Sequence, residues 1–242
     1  MRVFVILPAA GLGTRMTAHS TTGATPKQFM ELDGVPILVH SVRAFGAVRR
    51  VAEIVVAARA AETARLMQQL AAHGVDKRVR TVTGGDTRQQ SVANALANLK
   101  ADDDDIVLVH DAVRPLIDSE TIERTIDAVE KHGAAIVGVP AVDTIKQVER
   151  TADGAVITST IPRERVVLAQ TPQGFRYGLL KRAFDEATAD GFVGTDEASL
   201  AERAGIEVAV VMGSAQNFKI TRRGDLELAE FYLEQGKREA GA

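Results

Sequence analysis

No cysteine occurs among the 242 residues. Disulfides, thiolate nucleophiles and cysteine metal sites are therefore excluded, although this absence says nothing about compartment. Tryptophan is also missing, and aromatic residues make up only 4% of the chain. There is no basic surplus either. The formal charge of −3 argues against a general nucleic-acid or membrane-surface binder, while leaving room for a local basic pocket. Long apolar runs are absent too. The N-terminal "VFVIL" is followed at once by Pro8 and Gly11. A membrane span needs roughly 20 apolar residues, and a signal peptide needs a longer apolar region and a cleavage site. The stretch reads as a buried first strand, and the chain as a cytoplasmic protein. None of His19, His40, His73, His110 and His132 forms a zinc-like pair, so structural or surface roles are expected of them.

What is present is alternation. Continuous apolar or β-branched runs at 3–7, 53–58, 79–83, 106–110 and 135–140 have the pattern of strands buried on both faces. Helical stretches separate them. Pro36 opens "PILVHSVRAF" at a first-turn position, and Asp86 is the expected N-cap of "DTRQQSVANALANL". "AETARLMQQLAAHG" and "DSETIERTIDAVEKHG" each stop at glycine. Such alternation implies an α/β fold with a mainly parallel, doubly wound sheet. Ligands of these sheets bind beyond the carboxyl ends of the strands. "LPAAGLGTRM", "TGGDTRQQS" and "HDAVRP" all fall at such ends and should meet in space. "DDDD" at 102–105 reads as a solvated turn before a strand.

Residues 141–170 break the rhythm. They alternate polar and β-branched residues around "ADG", a hairpin signal. A projecting hairpin cannot bury both faces alone, so either its own body or a second subunit covers it, and the second subunit is expected. A helix over about 177–190, the segment "TDEASLAERAG", a strand in "EVAVVMG" and a terminal helix follow. Residues 1–242 are thus expected to form a single domain, with 141–170 as a β-hairpin dimerisation arm.

"GLGTRM" opens like a dinucleotide fingerprint, but Met16 stands where the third glycine belongs and no acidic residue ends the second strand. No Gly-Lys-[Ser/Thr] follows, so a hydride-transfer cofactor and a P-loop ATPase are both disfavoured. Gly11 and Gly13 let backbone amides approach an anion, with Arg15 and Lys27 adding charge. A tight strand-to-helix turn with surface basic residues would look the same. Asp111, at the end of a buried strand and three residues before Arg114, suits Mg²⁺ held against phosphates, but equally a helix cap or an ion pair with Arg114. Lys219 lies in "NFKIT", a short β-like run before the last helix. Basic groups and one carboxylate at strand ends suit phosphoryl-group chemistry.

These segments, with "PKQFMELDGVPIL", "DTIK", "TPQGF" and "TDEAS", occur in the order that resembles the 2-C-methyl-D-erythritol 4-phosphate cytidylyltransferase family, from residue 3 to about 232. The resemblance implies a glycosyltransferase-A-like nucleotidyltransferase fold and a Mg²⁺-dependent reaction. CTP and 2-C-methyl-D-erythritol 4-phosphate would give 4-diphosphocytidyl-2-C-methyl-D-erythritol and pyrophosphate. It implies that Ala9, Ala10, Gly11 and Gly13 form the nucleotide loop, and that Arg15, Lys27 and Lys219 are catalytic. Gly85, Asp86 and Ser91 match the motif that recognises cytosine and its nucleotide, and Asp111 matches the Mg²⁺-binding aspartate. Arg114, Thr144, Arg163, Thr171 and Thr195 fall on positions that contact or shape the methylerythritol phosphate site. Thr144 and Arg163 lie on the arm, which in the family exchanges across a homodimer. No nucleic acid or membrane partner is implied.

Two features depart from the commonest pattern. The Ser/Thr/Gly-rich stretch "TAHSTTGAT" is long, and Thr14 stands where some members carry a second arginine. Two rival readings remain. Ribitol-5-phosphate cytidylyltransferase shares the fold, but "LPAAG", "IPRERVVLAQTPQGF" and "TDEAS" favour methylerythritol phosphate. A catalytically inactive nucleotide-binding relative would have damaged charges, whereas Arg15, Lys27, Asp111 and Lys219 are all present.

Overall fold

The computed structural model describes residues 1–11, 26–75 and 78–240. Strand β1 (Val3–Pro8) is followed by a small antiparallel pair, β2 (Glu31–Leu32) and β3 (Val35–Pro36), and by helix α1 (Ile37–Gly46). Then come β4 (Val51–Ala58), α2 (Thr63–Ala72), β5 (Val79–Thr83), α3 (Arg88–Ala97), β6 (Ile106–Val109), α4 (Ser119–His132) and β7 (Ala134–Pro140). A hairpin of β8 (Ile145–Thr151) and β9 (Gly154–Ile161) precedes β10 (Val167–Arg176). The described chain ends with α5 (Tyr177–Ala189), α6 (Glu197–Arg203), β11 (Ala209–Met212) and α7 (Arg223–Ala240).

Seven strands form one sheet in the order β11-β7-β10-β6-β1-β4-β5. Every neighbouring pair is parallel except the two that β10 makes with β6 and β7. The two-residue period of the strands divides the core into two layers. Val3, Val5 and Leu7 of β1 face Leu38, Val42 and Phe45 of α1, Leu66 of α2, and Ile122 and Ile126 of α4. Phe4 and Ile6 face the opposite layer, with Val92 and Leu96 of α3, Leu180 and Phe184 of α5, and Leu200 of α6. A third cluster lies under α7, where Leu32, Ile37, Val113, Ile220 and Ala229 meet. The mainly parallel, doubly wound sheet expected from the alternation is present.

Helix ends follow local chemistry. Asp118 caps α4, its carboxylate accepting from the Thr121 amide at 2.6 Å. Gly133 closes that helix at φ 83° and donates to the Val129 carbonyl, a conformation that glycine adopts without steric cost. Two expected caps differ by one residue. Pro36 is the N-cap of α1 rather than a first-turn residue. Thr87, not Asp86, caps α3: its hydroxyl accepts from the Gln90 amide at 3.0 Å. Asp86 lies one step earlier, with its own amide donating to the Gln90 side chain at 3.1 Å.

The expected arm is shorter than 141–170. Its paired strands end at Ile161, and residues 167–170 open β10, a strand of the main sheet. The sequence hides this because Pro172 sits inside the strand, where a missing N–H argues against a ladder. The pairing of β10 with β7 indeed shifts between Ala169 and Gln173. Among the described residues, nothing covers the apolar side chains of the hairpin. Val148, Val156 and Ile157 are 50%, 57% and 60% exposed. Lys219 is in no strand, since residues 217–220 run irregularly, tied by the Ile220 amide to the Val113 carbonyl at 2.9 Å.

Candidate active site

The carboxyl ends of β1, β4, β5 and β6 converge, and two adjoining cavities open there. The β1 end is fixed from both sides. Gln28 donates to the Ala9 carbonyl and Arg59 to the Ala10 carbonyl, each at 2.8 Å. The β5 end packs directly against it. A Cβ built on Gly84 would lie 2.6 Å from the Ala10 Cβ, so only glycine lets these two turns touch. Beside it the Ser91 hydroxyl, at the first turns of α3, accepts from the Gly85 amide at 3.0 Å and donates to the Thr87 carbonyl at 2.8 Å. The result is a cleft of about 260 Å³, lined by Ala9, Ala10, Gly11, Lys27, Gly85, Asp86, Ser91, Asp111 and Lys219 among others.

A second cavity of about 210 Å³ shares Arg88, Asp111 and Lys219 with the first and adds Arg114, Gln170, Thr171 and Thr195. Asp111 therefore stands at the junction. It is only 7% exposed, yet three cations reach it. Arg88 Nε donates to Oδ1 at 3.1 Å, while Arg114 Nε and Lys219 Nζ approach Oδ2 at 3.3 and 3.0 Å. Burial alone would raise the Asp111 pKa, but the charges of Arg88, Lys219 and Arg114 overcome it and hold the carboxyl well below the usual range. Of the three readings of Asp111 that the sequence left open, the ion pair with Arg114 is present, at a strand end that opens into the cleft, whereas the next helix is capped by Asp118 instead.

The backbone at Asp111 is positioned by a second network. His110 Nε2 lies 3.1 Å from the Arg114 carbonyl, which can only accept, so Nε2 carries the hydrogen. Nδ1 of the neutral ring is then the acceptor, and Thr171 Oγ1, 3.0 Å away, donates to it. The same hydroxyl accepts from the Asp111 amide at 3.1 Å. Burial, against the pull of the Arg114 carbonyl and the Asp111 charge, pushes the His110 pKa down to about 4. The expected structural role of His110 is thus a specific one.

Most residues singled out in the sequence meet here. Thr144 and Arg163 do not: both are exposed at the base of the hairpin, and Arg163 donates to the Val142 carbonyl at 2.7 Å. Gly13 and Arg15 lie outside the described residues, as does the Ser/Thr-rich stretch. Three participants were not singled out. Arg88 pairs through both terminal nitrogens with Glu197, at 2.7 and 2.9 Å. Burial opposes the Arg88 charge, but the Glu197 and Asp111 carboxylates hold it firmly protonated; burial likewise raises the Glu197 pKa, and the bidentate Arg88 guanidinium is what opposes that rise. Asn217 donates to the Thr171 carbonyl at 2.8 Å, and its own carbonyl accepts from Arg114 at 2.8 Å. All three sit inside motifs already quoted, "TGGDTRQQS", "TDEAS" and "NFKIT", but nothing local marks them as buried.

Known proteins resemble this chain along nearly all of it. A family model described as IspD, 2-C-methyl-D-erythritol 4-phosphate cytidylyltransferase, matches residues 3–235. A protein of that name from Acidobacterium capsulatum is 67% identical over 235 residues, spanning 97% of this chain and 98% of its own. Another, from Solibacter usitatus, is 53% identical over 238 residues, 97% of each chain. Among solved structures, a 4-diphosphocytidyl-2C-methyl-D-erythritol synthase from Anaerococcus prevotii is similar with a TM-score of 0.82 at 29% identity, covering 96% of each chain. The Francisella tularensis 2-C-methyl-D-erythritol 4-phosphate cytidylyltransferase gives 0.77 at 34% identity, over 96% of this chain and 99% of its own.

The buried histidine makes the site sensitive to acid. Its folded pKa lies below the ordinary 6.5, so its stabilisation is complete above pH 6.5 and is lost as pH falls toward 4. The loss at the lower end is about 3 kcal/mol. Urea unfolding of a His110→Asn variant, less stable at neutral pH, should show a shallower decline of stability across that window. Equal declines in the two proteins would mean that His110 does not couple to folding.

Proposed function

The chain belongs to the 2-C-methyl-D-erythritol 4-phosphate cytidylyltransferase family, and from this premise we propose how its residues perform the family's reaction. The enzyme transfers the cytidylyl group of CTP to 2-C-methyl-D-erythritol 4-phosphate, giving 4-diphosphocytidyl-2-C-methyl-D-erythritol and pyrophosphate, in isoprenoid precursor synthesis. The observation that carries the residue assignment is Asp111 and its three cations at the junction of two cavities. The larger cleft, with its small residues and backbone turns, takes CTP. Ala9, Ala10 and Gly11 border the triphosphate, with Gly85, Asp86 and Ser91 at the nucleoside. The smaller cavity takes the sugar phosphate, bordered by Arg114, Thr171 and Thr195.

A phosphate oxygen of methylerythritol phosphate attacks the α-phosphorus of CTP in line, and pyrophosphate leaves. That oxygen is already anionic near neutral pH, because a phosphate monoester has a second pKa of about 6. The site suits a reaction without a strong base. Asp111 is held too acidic to take a proton, and both His110 nitrogens are engaged in the buried network. What the residues must do is bring two polyanions together. Lys27 and Lys219, with Arg15 as the family resemblance implies, lower that repulsion and stabilise the crowded transition state.

Mg²⁺ fits this donor set in one form. Among the described residues no group of three or more histidines and carboxylates could hold a metal. Asp111 would therefore share the ion with triphosphate oxygens, the usual habit of Mg²⁺. When bound, the ion neutralises phosphate charge. Thr144 and Arg163, outside both cavities of their own chain, complete the sugar-phosphate site of a second copy through exchanged arms, and the exposed valines and isoleucine of the hairpin are covered in that homodimer. No helix of the described residues is long and apolar enough to cross a membrane. The proposed place of action is the cytoplasm.

Pyrophosphate release with CTP and Mg²⁺ should be strongly selective for methylerythritol phosphate over ribitol 5-phosphate, and the reverse preference would overturn the substrate assignment. Lys27→Ala should lower kcat about 10²–10³-fold, the usual loss for one preorganised charge donor. Turnover near that of the parent enzyme at saturating CTP would remove Lys27 from the mechanism. Mixing inactive Lys219→Ala and Arg163→Ala chains should restore about a quarter of the parental activity, since half the dimers would each carry one intact shared site. If the sites are built within single chains, mixing restores nothing.

A further inference from the structure

Glu197 is 1% exposed and lines neither cavity, yet it is the bidentate partner of a residue that lines both. It enters at the first turn of α6, whose start is anchored to β10. The Ala198 amide donates to Gln173 Oε1 at 2.9 Å, and Gln173 Nε2 donates to Asp196 at 2.8 Å. From this fixed position Glu197 takes both terminal nitrogens of Arg88, leaving only Nε for Asp111 Oδ1. Lys219 and Arg114 share Oδ2. Of the three cations on Asp111, Arg88 is the one that a second carboxylate neutralises among the described residues.

We infer that Glu197 is a positioning residue whose charge cancels that of Arg88, so that Asp111 can accept a divalent cation. Bidentate pairing fixes the guanidinium edge-on and stops it from turning its terminal nitrogens toward Asp111. Without Glu197 a divalent ion would have to approach Asp111 against one further unit of positive charge. The anionic triphosphate would gain from that same charge. Metal and nucleotide affinities therefore move apart, which a merely loosened structure would not produce. This inference rests on the proposed metal role of Asp111.

The test uses the full-length enzyme, Mn²⁺ as a spectroscopic probe and α,β-methylene-CTP as a nucleotide that cannot react. Electron paramagnetic resonance gives the Mn²⁺ half-saturation, calorimetry the nucleotide affinity, and thermal melting the folded state. Glu197→Gln should raise the Mn²⁺ half-saturation on the order of tenfold, as a unit charge near a screened ion pair would, without weakening the nucleotide. Adding Arg88→Gln should bring the half-saturation back to within about threefold of the parent, because the pair is again neutral. A folded Glu197→Gln protein with unchanged Mn²⁺ binding overturns the inference, as does a double variant as weak as the single one. If Glu197→Gln alone fails to fold, the double variant decides by the same threefold limit. Asp111→Asn, run alongside, isolates the underlying reading: Mn²⁺ binding that survives it places the metal elsewhere and removes both.

Discussion

A carboxylate taken out of water must be paired or become neutral, and Asp111 is the point in this fold where that requirement is met three times over. Its cations come from three separate segments: Arg88 at the start of α3, Arg114 in the turn after β6, and Lys219 in the irregular stretch before α7. Each therefore ties a different part of the chain to one strand end. The cluster is positive overall even with Glu197 included, which suits the phosphate-bearing substrates proposed for the two adjoining cavities. The same excess of positive charge holds Asp111 ionised, which suits the proposed role of ligand rather than base.

The sheet makes this possible by an irregularity. Six strands supply parallel order, and β10 enters antiparallel between β6 and β7. Where its ladder with β7 shifts, Thr171 faces His110 and Asp111 instead of solvent. One hydroxyl then serves as acceptor for the Asp111 amide and donor to the histidine, and the histidine reads the carbonyl of Arg114. Asn217 closes the circuit by holding Thr171 and Arg114 together from the far side. Each of these bonds offsets part of the cost of burying polar groups, although Asn217 Oδ1 is buried without a hydrogen-bond partner among the described residues.

Much of the framework was legible in the sequence. Parallel strands buried on both faces must be continuously apolar, so β1, β4 and β6 read clearly, and the motifs after them had to meet. β10 was not legible, because Gln170, Thr171, Pro172 and Gln173 look like a loop when their role is to line a site and bend a ladder. Arg88 and Glu197 lie 109 residues apart, and an ion pair that distant leaves no periodic trace. Each looks like an ordinary charged residue in the first turn of a helix. Gly84 carries no special φ, and its necessity comes from Ala10 across the cleft. Thr144 and Arg163 were expected from resemblance alone, and both lie exposed outside the two cavities.

In the proposed mechanism Asp111 organises charge for catalysis as well as for folding. The most direct measurement is kcat for pyrophosphate release from CTP and methylerythritol phosphate by Asp111→Asn, with folding verified by its thermal transition. The substitution keeps the shape but removes the charge and replaces one acceptor oxygen with a donor nitrogen. A fall of about 10²–10³-fold is expected, the loss that follows removal of a preorganised electrostatic group. A folded Asp111→Asn enzyme turning over at the parental rate would contradict the proposed mechanism.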